Sequence, residues 1–187
     1  MNRSASQACR GFSLVEVMVA LVVCAIGLLG LAKMESLAVS STSVAAARSI
    51  AAIQASSLAA AMHANKGYWA SGTAPASTTV TVNNNPNTVV ISDPVLNSTP
   101  PNSCSIPGTN SCTSDQMAAF DVQSWATSLQ ALLPGSFSTI TCTTTTATPV
   151  TCTIQIQWAE NAVAANAQQN FNLNPLQTPT YVLYVQP

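Results

Sequence analysis

Charge is the scarcest feature of this sequence: five Lys or Arg, six Asp or Glu and one His in 187 residues. Charged residues make up 6% of the chain, against about 25% in an ordinary soluble domain. From Gly67 to Pro187 there is no Lys, Arg or His at all, and the acids there are Asp93, Asp115, Asp121 and Glu160. Nucleic-acid binding needs clustered cations that displace counterions from phosphates, so no nucleic-acid partner is expected. No CxxC spacing occurs, which removes the zinc and thiol redox motifs. Ser-His-Asp, Cys-His, paired-carboxylate and phosphate-loop constellations are missing too. The lone His63 has no nucleophile or metal-ligand set beside it and reads as a surface or helix-end contact. The sequence therefore predicts no catalytic residue, no metal, no cofactor and no small-molecule substrate. Ser, Thr, Asn, Ala and Gln fill the place of the missing charge, as suits an extracytoplasmic surface or an assembly interface.

The length has room for one membrane helix and one modest globular domain. From Phe12 to Ala32 the chain reads FSLVEVMVALVVCAIGLLGLA, with Glu16 its only charge. That matches the ~20 apolar residues a helix needs to cross a ~30 Å hydrocarbon core. Arg3 and Arg10 upstream predict an N-in, C-out topology by the positive-inside rule. A cleaved secretory signal would have a shorter apolar run, no carboxylate in it, and a small-x-small site after it. Here Lys33-Met34-Glu35 closes the run. Glu16 needs a cause, because a carboxylate inside a membrane helix costs several kcal/mol unless it is paired, hydrated or protonated. Either it snorkels to the interface, or a cation within the membrane plane pairs with it.

Beyond Lys33 the chain is Ala-rich and free of Pro and Gly until Gly67. Met34, Leu37, Val44, Ala51, Leu58 and Met62 recur at helical spacing and predict one apolar face. Asn65-Lys66-Gly67 reads as the helix stop, with Gly67 at the cap. A continuous helix from Phe12 to Asn65 would be roughly 80 Å long. Strands are expected over 78–83 and 88–92, joined as a hairpin through Asn84-Asn85-Pro86-Asn87, and residues 93–111 read as an irregular loop. Thr113-Ser114-Asp115-Gln116 has the form of a capping box opening a helix over about 116–133, stopped by Pro134-Gly135. Three further strands follow at 136–144, 150–158 and 180–186. These elements predict an α+β fold, an antiparallel sheet packed on the back half of the long helix with one extra helix.

Of six cysteines, Cys9 precedes the apolar run and Cys24 lies within it. Cys104, Cys112, Cys142 and Cys152 fall in the exported portion and suggest disulfides. Four cysteines allow three pairings, of which the local one, Cys104–Cys112 with Cys142–Cys152, is favoured. The second bridge would then lock the register of the 136–144 and 150–158 hairpin.

The run Gly11-Phe12-Ser13-Leu14-Val15-Glu16, behind a short basic leader and opening a membrane helix, resembles the processing motif of type IV pilins and type II secretion pseudopilins. The resemblance implies the type IV pilin fold and cleavage by a prepilin peptidase between Gly11 and Phe12, with methylation of the new Phe12 amine. It divides the chain into a leader over 1–11, a membrane half-helix over 12–33, an amphipathic half over 34–66 and a periplasmic head over 67–187. It also gives Glu16 a partner, the N-terminal amine of a neighbouring subunit, which sets axial register. Losing one member of such a buried pair costs about 3–5 kcal/mol. Major pilins often carry a Pro near the place of Lys33; here the helix has Gly27 and Gly30 instead, which allow either local unwinding or close packing. Within the class, Ile26-Gly27-Leu28-Leu29-Gly30-Leu31-Ala32 is similar to a run of PilV-type minor pilins. So are Asp121 and Trp125 followed by Leu133-Pro134-Gly135, and the strand ending at Trp158. That implies a minor pilin acting with other minor pilins and the major pilin to initiate or cap a pilus. The alternatives are a type II secretion pseudopilin and, from another class, a membrane-tethered periplasmic binding module or enzyme.

Overall fold

A computed structural model describes residues 13–84, 87–101, 104, 112–144, 149–161 and 176–187. Gly11, Phe12 and most of the 93–111 loop beyond Pro101 lie outside the described residues. The chain forms two compact units, Met1–Ser41 and Thr42–Pro187. Helix α1 spans Leu14–Ala64 and contributes residues to each.

In the first unit α1 is exposed around nearly its whole circumference, with Leu14, Met18, Ile26 and Leu29 each 59–75% accessible. It is long and apolar enough to cross a membrane. The helix continues through Gly27 and Gly30, where an added Cβ would meet nothing within 4 Å. Packing within this chain therefore requires neither glycine.

In the second unit α1 buries Ala51, Gln54, Ala55, Leu58, Ala59 and Met62, one stripe at the 3.6-residue period. The expected apolar face is thus correct from Ala51 onward. Met34 does not join it and is 69% exposed. The stripe meets the inner face of a five-stranded antiparallel sheet, ordered β2-β1-β3-β4-β7. Its strands are β1 (Ser77–Asn84), β2 (Asn87–Ile91), β3 (Phe137–Cys142), β4 (Cys152–Gln157) and β7 (Thr180–Val185). Alternation sets the faces: Ile140, Ile154 and Ile156 point inward with at most 1% exposure, while Thr139, Thr153 and Gln155 between them do not. A separate short pair joins β5 (Glu160–Asn161) to β6 (Leu176–Gln177), which strand periodicity did not signal. The extra helix is α3 (Ser114–Leu132). The result is a pilin-like α+β fold.

Two boundaries differ from the sequence reading. Gly67 does not cap α1: the helix ends at Ala64, and Gly67 lies inside a single further turn, α2 (Lys66–Trp69). Its reason is closeness, since a Cβ there would come within 3.2 Å of the Ser114 Cβ at the start of α3. The left-handed residue that reverses the chain is Gly72, at φ 77°. At α3 the capping box is complete. Thr113 Oγ1 accepts from the Gln116 amide and the Gln116 side chain accepts from the Thr113 amide. Gln116 is thus the third helical residue, so the helix begins at Ser114.

Candidate assembly site

Glu16 sits in the first turn of α1, where the Ser13 carbonyl accepts from the Glu16 and Val17 amides at 3.0 and 3.3 Å. A carboxylate in this position faces the positive end of the helix dipole. That end effect falls off within a turn, so it moderates the cost of the charge without replacing a counter-ion. Leu14, Val15, Val17, Met18 and Val19 surround it, all exposed. Among the described residues no cation or hydrogen-bond donor reaches the Glu16 carboxylate.

The N-terminal stretch matches the model of the prokaryotic N-terminal methylation motif over residues 6–32. The N-terminus of this chain thus carries the methylation motif shared by type IV pilins and pseudopilins. The motif implies processing by a prepilin peptidase and partners in filament assembly, and with the apolar helix it fits an inner-membrane anchor. The match ends at Ala32, so the head of this pilin-like chain rests on its own geometry. No curated protein and no solved structure matches the chain.

The head is fastened to α1 by polar contacts that sequence reasoning did not single out. Arg48, on α1, grips Glu160 with both arms: Nε and Nη2 donate to Oε1 and Oε2 at 3.2 Å each. Glu160 is buried, with its side chain 4% exposed, while Arg48 stays 60% exposed. The Trp158 indole N–H also donates to Glu160 Oε1 at 3.0 Å. The hydrogen bond and the charge of Glu160 hold the Arg48 guanidinium above its ordinary pKa. The available signal was slight, one Arg in an Ala-rich helix and one Glu two residues after a Trp.

Further along α1, the Trp125 indole N–H donates to the Gln54 carbonyl at 2.9 Å. Asn65 Nδ2 donates to the Ser114 carbonyl at 2.7 Å. Together these tie the middle of α3 to α1 and its first residue to the residue that follows α1. Gln123 Nε2 reaches the carbonyls of Leu96 and Ser98 at 2.8 and 2.6 Å and ties the 93–98 turn to α3. Two disulfides complete the scaffold. Cys142–Cys152 joins directly paired residues of β3 and β4, and Cys104–Cys112 closes the loop before α3. Cys24 is free and exposed on the apolar first part of α1. Among the described residues no group of three His, Cys, Asp or Glu is placed to hold a metal. His63 is exposed in the last turn of α1.

Proposed function

We propose that this chain is a minor pilin of the PilV type. It is cut after Gly11, methylated at Phe12, and assembled with other minor pilins and the major pilin to initiate or cap a type IV pilus. The observation that carries the assembly reading is Glu16, a carboxylate exposed on an apolar helix with no partner among the described residues of its own chain. A charge in that setting is costly until it is paired, hydrated or protonated, and the processed amine of a neighbour is the complement the motif supplies. The minor-pilin part is supported by the head. Asp121 and Trp125 share a face of α3, Trp125 docks that helix on α1, and Leu133-Pro134-Gly135 ends it, with Gly135 at φ 77°.

Two experiments test the reading. The Glu16→Ala protein should insert and be processed yet enter filaments poorly; normal incorporation overturns the register argument. A clean deletion in the native bacterium, scored for surface pili and for type II secretion in parallel, separates the two filament systems. Sparse pili with intact secretion support a minor pilin, whereas intact pili with impaired secretion make the chain a pseudopilin.

A further inference from the structure

We draw no further inference here: the strongest candidate, the uncharged outer face of the five-stranded sheet with Phe137, Val182 and Tyr184 exposed on it, is an unpartnered surface patch, and nothing in the structure shows what covers it.

Discussion

The Cys142–Cys152 bridge should be worth clearly more than the Cys104–Cys112 bridge, although chain entropy alone makes them nearly equal. The first joins residues 10 apart and the second residues 8 apart. Loop-closure entropy then assigns about 2.7 and about 2.5 kcal/mol respectively. The difference lies in where the sulfurs sit. Cys142 and Cys152 face each other across β3 and β4, at 5% and 0% exposure, inside the core that also holds Ile140 and Ile154. Cys104 and Cys112 are only partly covered. Replacing the buried pair with alanine removes the cross-link and also leaves two small voids, each costing roughly 1 kcal/mol. The expected losses are thus about 4–5 kcal/mol for Cys142→Ala with Cys152→Ala, and about 2.5 kcal/mol for Cys104→Ala with Cys112→Ala.

The assay is guanidinium unfolding of the full-length protein in detergent, followed by tryptophan fluorescence. It reports the head alone, because Trp69, Trp125 and Trp158 are the three tryptophans of the chain and all are buried there. Equal losses for the two double variants would refute the packing argument. A loss well below 2 kcal/mol at the β3–β4 bridge would refute the entropic one as well.

Leu58→Ala should cost the head about 2–5 kcal/mol by cavity formation, since Leu58 is fully buried on α1. Met34→Ala on the same helix should leave the fluorescence transition unmoved. The Asp121→Asn variant should gain stability over wild type as pH rises. Burial raises the Asp121 pKa in the folded state, so the folded form holds its proton more tightly. Its favourable contribution is complete below the ordinary carboxylate value of about 4 and is lost as pH climbs through the raised one. Unfolding midpoints of both proteins at acidic and neutral pH check this, and a gap that closes toward neutrality contradicts it. Arg48→Gln and Glu160→Gln should show favourable coupling in a double-mutant cycle, reduced by high salt because Arg48 is exposed. Strict additivity of the two single changes would remove the ion pair from the account of how β5 is held.

The parts of this molecule legible in sequence are those whose cause is local or periodic. The capping box at Thr113 and the alternation of Ile154 and Ile156 each carry their signal within a few residues. The spacing of Leu58 and Met62 does the same. Gly67 was misread because a glycine after a helix has two uses, a left-handed cap and a close approach. Only the position of Ser114, 47 residues on, decides between them. The Arg48–Glu160 pair spans 112 residues and has no periodicity to announce it. The β5–β6 pair is two residues on each side, too short for any alternation to register. At the candidate site, Glu16 was legible because a charge in an apolar run is conspicuous. Asp121 was visible only as one residue of a helix pattern, since what sets it apart is the groove that Ser57 and Ser128 form around it.

With so few acids in the chain, each can be asked what it does. Asp93 Oδ1 accepts from the Val95 and Leu96 amides at 3.0 and 2.9 Å and shapes its own turn. Asp115 lies in the first turn of α3, where the helix dipole favours a negative charge. Glu160 is held by Arg48 and Trp158. Glu35 lies on an exposed stretch of α1, where water solvates it. Glu16 and Asp121 remain: one is set in an apolar surface and the other in a half-buried groove, and neither has a counter-ion among the described residues. Glu16 is explained if the cation that completes it belongs to another subunit, since a charge in an apolar helix surface gains nothing from its own fold. On that account Glu16→Gln should leave the head's unfolding transition intact while lowering incorporation into the assembly. A loss of head stability in that variant would return the carboxylate to an intramolecular role.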